Sequence, residues 1–273
     1  MLAAAVIIFR EVLEAALIIG ILAAATRGLP HSKRWLTSGV IVGLLGAGIV
    51  AAFTDVIGEW ASGVGQELFN ATVLGIAVLM LAWHNIWMSS HGAVLAANAK
   101  NVGKSIRDGA SECSILLIIV GLAVLREGSE TVLFLYGISA AENSDQSSML
   151  LGGLAGLLAG VTVGFIMYKG LLRIPLRWFF TATGILVLLL AAGMASQAAH
   201  FLIQADMLPS LAAPLWDTSM LLSESSIAGM LMHSLMGYDS QPAGMQVIFY
   251  LIALILIASG MKWVGRTQQR VKP

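Results

Sequence analysis

The stretch FREVLEAALIIG (residues 9–20) sets one arginine and two glutamates within five positions of a run otherwise apolar enough to cross a bilayer. The pattern returns 116 residues later as LREGSETVLFLYG (125–137), so R-E-x-x-E occurs twice. A spacing of three puts Glu11 and Glu14 on one helical face, and Glu127 and Glu130 repeat that geometry. Arg10 with Glu14, and Arg126 with Glu130, are four apart, so each arginine can pair within its own helix. A charge at the bilayer centre costs about 2.5–3.5 kcal/mol on insertion scales, so six of them must face an interior or a wet cavity and serve a compensating purpose.

The rest of the chain sets the frame for these charges. Of its 273 residues 58% are hydrophobic and 11% charged, with a mean hydropathy of +0.87, which excludes an ordinary soluble domain. The segments are continuously apolar rather than alternating, which argues against a β-barrel. The expected fold is an all-α polytopic membrane protein with about seven transmembrane helices, near residues 2–26, 36–57, 67–89, 113–138, 148–168, 178–203 and 244–263. The first helix lacks a basic n-region and a cleavage site, so it is expected to stay as a helix and not be removed as a signal peptide. Zero net charge gives no sign of a nucleic-acid partner, and the lone Cys113 offers neither a disulfide nor a Cys/His metal cluster.

Thirteen of the fifteen Lys and Arg fall after the first, third, fifth and seventh spans; the two exceptions are Arg10 and Arg126. The positive-inside rule then places the N-terminus outside and the C-terminus in the cytoplasm, across a plasma membrane or, in a Gram-negative bacterium, the inner membrane. The outer face carries Asp55, Glu59, Glu67, Glu142, Asp145, Asp206, Asp217, Glu224 and Asp239. Two readings stand for it: a field that gathers cations, or a solvated face obeying topology.

Internal repetition points to two units. Besides the charged motif, Gly39, Gly43, Leu44 and Leu45 match Gly152, Gly156, Leu157 and Leu158 at an offset of 113, and FNAT from Phe69 matches FTAT from Phe180 at 111. Two related three-helix units are expected (about 1–90 and 113–203), followed by an outer segment (about 206–243) and a final helix (about 244–263), all in a single domain over residues 1–273. An odd number of spans per unit makes the second unit inverted, which favours a substrate site near the midplane where helices 1 and 4 meet.

Four carboxylates and two guanidinium groups leave a local formal charge near minus two. Carboxylate oxygens without thiolate suit hard cations such as iron, manganese, magnesium or calcium; proton transfer and a structural ion-pair network are the competing readings. Glu67 at the outer start of helix 3, His84 within it, His200 in helix 6, and Asp217, Glu224 and His233 on the outer segment are further candidates to line a pathway or meet an external donor. That segment is expected to hold an interfacial helix capped by Ser223, striped by Ile227, Met230, Leu231 and Leu235, and ended by Gly237. Its methionines form no repeated Met-x-Met array, which argues against copper.

The motifs FREVLE and LREGSE, with the C-terminal stretch from Leu215 to Leu251, resemble the oxidase-dependent iron permease family, fungal and bacterial, over nearly the whole chain. The resemblance implies high-affinity passage of iron into the cytoplasm, ferric after external oxidation of ferrous iron, with Glu11, Glu14, Glu127 and Glu130 as metal ligands and Arg10 and Arg126 as the motif arginines. It implies iron as a transported substrate and no resident cofactor, a transporter without its own oxidase site, and an external iron oxidase or donor as partner beside the lipid bilayer. The family often has R-E-G-L-E, where this chain has Val12 in the first copy and Gly128 with Ser129 in the second; DGASE (108–112) differs from the fungal D-A-S-E and lies on the predicted cytoplasmic side. Two alternatives remain open, a membrane di-iron carboxylate enzyme and a proton-coupled carrier of another cation.

The topology has a direct check: with Cys113 replaced by Ser, a cysteine at Ser219 is expected to react with an impermeant maleimide in intact cells, and one at Lys104 only after permeabilisation. The reverse pattern contradicts the orientation.

Overall fold

The structure, a computed structural model, describes residues 2–61, 65–141, 146–169, 176–224 and 226–270. These form α1 (Leu2–Ala25), α2 (Ser32–Ala61), α3 (Gln66–Arg107), α4 (Ile115–Ala141), α5 (Gln146–Tyr168), α6 (Leu176–Gln204), α7 (Ile227–Met236) and α8 (Gly244–Arg270), with no strand among the described residues. Five helices hold an uncharged or nearly uncharged stretch long and apolar enough to cross a membrane: Ser32–Phe53, Gln66–Met88, Ser147–Tyr168, Thr181–Gln204 and Gly244–Val264. α1 and α4, with 24 and 27 residues, are also longer than a bilayer core of about 30 Å requires, but each carries the three charges of its motif.

The expected third span, near 67–89, agrees with the apolar stretch Gln66–Met88, and the helix that holds it, α3, runs on for 42 residues in all. The polar group Ser89, Ser90 and His91 ends the apolar stretch without breaking the helix, because no proline intervenes and the continuation is rich in alanine. It stops at Asp108, before Gly109 at φ +76°.

The principal pairings are α1 on α5, α2 on α4, and α3 on α6, with α1, α3 and α4 also touching one another at the centre. Exchanging α1, α2 and α3 for α4, α5 and α6 turns the first pairing into the second and leaves the third unchanged. Glycines set the closeness of both equivalent pairs. A Cβ on Gly43 of α2 would lie 2.6 Å from Val124 Cβ and 2.8 Å from the Gly121 carbonyl of α4. On the other side, a Cβ on Gly156 of α5 would strike the Ala5 carbonyl of α1.

The same logic explains the departure at Val12. Val12 packs against Gly160 of α5, whereas Gly128, its counterpart in the second motif, packs against Ala47 of α2. Gly160 in turn matches Ala47 under the 113-residue offset. The glycine has moved to the partner helix, and close approach is kept at both copies.

Burial along the three central helices alternates apolar, charged, apolar. One core cluster takes Ala3 and Ile7 from α1, Leu74, Ala77 and Leu81 from α3, and Phe134 and Ile138 from α4. A second takes Leu22 from α1, Ala99 and Ile106 from α3, and Leu116, Val120 and Val124 from α4. The motif charges lie between these two dry layers. On the outer segment Ser226, not Ser223, caps α7: its hydroxyl accepts from the Gly229 N–H at 3.0 Å, while the Ser223 carbonyl accepts from Ser226 in the turn before it. Gly237 ends α7 at φ +67°, as expected, and Ile227, Met230 and Leu231 stand exposed on its face.

Gly160→Leu is expected to destabilise the folded protein by about 1–3 kcal/mol or more through overpacking. Gly48→Leu, whose Cβ meets nothing within 4 Å, is its control. Thermal unfolding in detergent reads both; equal unfolding temperatures for the two variants contradict the packing account.

Candidate metal site

The first motif is buried to an unusual degree for charged residues: Arg10, Glu11 and Glu14 are each 2% exposed. Arg10 donates through Nη1 to Glu11 Oε1 at 3.5 Å, and its Nε lies 3.1 Å from Glu14 Oε1, an ion pair by distance. The second motif is looser. Arg126 Nε donates to Glu130 Oε1 at 2.9 Å and lies 3.8 Å from Glu127 Oε1, while its guanidinium sits 4.6 Å over the Trp87 ring. Ser129 and Thr131 donate their hydroxyls to the Arg126 and Glu127 carbonyls, at 2.8 Å each, and so stay off the carboxylates.

α3 brings His84 between the two motifs. Its ring is buried, edge-on to Phe134 with centroids 6.4 Å apart. His84 Nδ1 is in direct contact with Glu130 Oε2, and Nε2 lies 3.6 Å from Glu14 Oε1 and 4.0 Å from Glu11 Oε2. One ligand atom each from Glu11, His84, Glu127 and Glu130 falls within a group spanning 4.8 Å. No aligned hydrogen bond from a protein group reaches Glu11 Oε2, either oxygen of Glu14, Glu127 Oε2 or Glu130 Oε2. Each buried acceptor left in that way costs about 1–3 kcal/mol, more when charged. A bound cation relieves those on Glu11, Glu14 and Glu127 together, which a self-contained ion-pair network does not; Glu130 Oε2 lies against His84 Nδ1 instead. Carboxylates with one imidazole suit iron and neighbouring first-row ions.

The structure brings the four glutamates and two arginines expected from helices 1 and 4 to one site. In the sequence His84 is one of several pathway candidates; it shares with His200 a place within an apolar span, where an ionisable residue marks function by default, and only the packing of α3 against α1 and α4 sets it apart. The remaining candidates lie elsewhere. Glu67 is exposed in the first turn of α3, about 26 Å along that helix from His84. His200 shares a 3.0 Å contact with Gln204 and stacks edge-on with Phe201.

On the outer segment the acidic side chains knit the chain to itself. Asp217 accepts from the Ser219 hydroxyl and N–H and from Gln241, which holds its carboxyl below the usual range. Glu224 accepts from the Ser240 N–H at 2.6 Å, and this bond lowers its pKa. His233 contacts the Tyr238 carbonyl through Nδ1 at 2.7 Å and, with Gln197 and Ala3, lines a cavity of about 30 Å³ beside α7. Glu142 and Asp145, and the side chains of Asp55 and Glu59, lie outside the described residues.

Residues 1–265 match the model of the iron permease FTR1 family. The chain belongs to that family. It is 33% identical over 257 residues to the ferrous iron permease EfeU of Escherichia coli O6:H1, covering 91% of each chain, and 32% identical over 254 residues to that of Shigella sonnei, again 91% of each. The Escherichia coli K12 relative, 32% identical over 257 residues, carries the word inactive in its name, so family membership and activity are separate questions. No solved structure matches the chain.

Burial separates the two arginines in energy. Removing the 3% exposed side chain of Arg10 leaves buried carboxylates uncompensated, which costs about 3–5 kcal/mol. Arg126 has a side chain 37% exposed, so its loss leaves less charge uncompensated in the protein interior. Arg10→Ala is therefore expected to lose folded protein in detergent far more than Arg126→Ala; the opposite order contradicts the burial argument.

Proposed function

We propose that this chain is an iron permease that carries iron into the cytoplasm through Glu11, Glu14, Glu127 and Glu130. The observation that carries the reading is the convergence of both motifs on one buried site in which Glu11, Glu14 and Glu127 each keep at least one oxygen that accepts no protein hydrogen bond. In this reading α1 and α4 span the membrane with the other long helices, giving seven spans, the N-terminus outside and the C-terminus inside. The exchange of the α1–α5 pairing for α4–α2 supports two inverted three-helix units with the site on their shared axis. Arg10 and Arg126 orient the carboxylates and limit the excess negative charge.

Two valences are in play. With His84 counted neutral, the four carboxylates and two guanidinium groups leave minus two, which a ferrous ion neutralises, and the EfeU relatives are named for ferrous iron. The resemblance to the oxidase-dependent family implies ferric iron supplied by an external oxidase or donor, which would load the same site with one positive charge in excess. A di-iron enzyme is less well supported: its bundles use Glu-x-x-His pairs, and the residue three before His84 is Leu81.

Uptake into proteoliposomes tests the proposal, with ferrous iron, chelated ferric iron, and ferrous iron plus an added oxidase offered to the purified chain. Uptake is expected, and Glu14→Ala and Glu130→Ala are each expected to abolish it while the protein stays folded and inserted. Normal uptake in both variants sinks the site assignment. Uptake that follows a pH gradient and ignores iron would favour the proton-coupled carrier.

A further inference from the structure

The central site is matched in carboxylates but not in nitrogen. Under the 111-residue offset that relates α3 to α6, His84 corresponds to Ala195, which is buried in an apolar cluster with Ala192 and Ala253. A single imidazole therefore enters from one side of an otherwise paired arrangement. Resting on the permease reading above, we propose that His84 binds the iron directly through Nε2, is positioned for this by Glu130, and makes the site prefer iron over calcium and magnesium.

The geometry assigns the two ring nitrogens different tasks. Glu130 has both oxygens engaged: Oε1 accepts from Arg126 Nε, and Oε2 meets His84 Nδ1. A carboxylate that already accepts from a guanidinium is an acceptor for its other neighbour, so Nδ1 carries the proton and Nε2 keeps its lone pair. That lone-pair nitrogen has Glu14 Oε1 at 3.6 Å and Glu11 Oε2 at 4.0 Å, too far for hydrogen bonds. Atoms that share one ion through bonds of about 2.1 Å stand roughly 3.0–4.2 Å apart, and both separations fall in that window. A ligating histidine whose second nitrogen donates to a carboxylate is the arrangement that fixes tautomer and ring orientation in metal sites.

Selectivity follows from ligand chemistry. Calcium and magnesium take oxygen donors and gain little from a nitrogen, whereas imidazole suits iron, zinc, copper and nickel. Four glutamates alone would leave the abundant hard cations as competitors. One buried imidazole tilts the site against them without adding a formal charge.

Two readouts on the full-length protein in detergent and in proteoliposomes test this. Iron-edge X-ray absorption of the wild-type protein loaded with ferrous iron is expected to show the outer-shell scattering of one imidazole, absent in His84→Gln. In uptake assays, excess calcium is expected to leave the wild type unaffected and to depress iron uptake by His84→Gln roughly tenfold. Glu130→Gln, whose amide oxygen can still accept from Nδ1, is expected to retain the imidazole signature even where its transport fails. Iron bound without imidazole in the wild-type shell overturns the assignment whether or not any variant folds, and so does unchanged calcium sensitivity in a folded, iron-transporting His84→Gln. Iron bound through His84 by a chain that never transports it defeats the permease reading and leaves the ligand assignment standing.

Discussion

Four carboxylates held between two dry apolar layers govern the rest of the molecule. Moving an unpaired carboxylate out of water costs several kcal/mol even after relaxation, so this centre exists only because two guanidinium groups and one imidazole are brought to it. The cost falls on three helices at once. α1 must cross α4 closely, and α3 must deliver His84 between them. The glycines of α2 and α5 let those helices pack closely behind α4 and α1, with Gly43 against the Gly121 carbonyl and Gly156 against that of Ala5.

The apolar layers give the site a second property. Ile7, Leu81 and Phe134 lie on the α7 side of the charged cluster, and Leu22, Val120 and Leu116 on the other. Water is excluded from both directions, which strengthens every electrostatic interaction within. An ion in transit has to pass both layers, so the described arrangement is a closed one. The first of these layers ends beneath α7, where the Gly237 backbone rests on Gly193 of α6, and this contact joins the segment between α6 and α8 to the core.

Much of this was legible in the sequence because membrane helices write their constraints in charge. Two R-E-x-x-E runs inside apolar spans, with the remaining basic residues confined to alternate connections, are enough to pick out the central helices and their ionisable face. Helix bounds were less legible. Ser89 to His91 end an apolar stretch but not a helix, so the span was legible and the continuation of α3 to Arg107 was not. The cap of α7 was misplaced by three residues, because Ser223 and Ser226 are equally suitable in composition and only the turn between them decides which hydroxyl reaches Gly229. The position of His84 was beyond reach for a different reason: a lone histidine in a span carries no record of what stands opposite it. Val12 was opaque for the same reason, since its compensating glycine lies 148 residues away at Gly160.

The most direct test of the account is to locate the ion itself. Crystals of the protein loaded with ferrous iron under anoxic conditions, measured on either side of the iron absorption edge, should show a single anomalous peak between α1, α3 and α4, within bonding distance of His84 and of motif glutamates from both α1 and α4. A peak confined to the outer segment at Asp217, Glu224 or His233, with none between the two motifs, would contradict it.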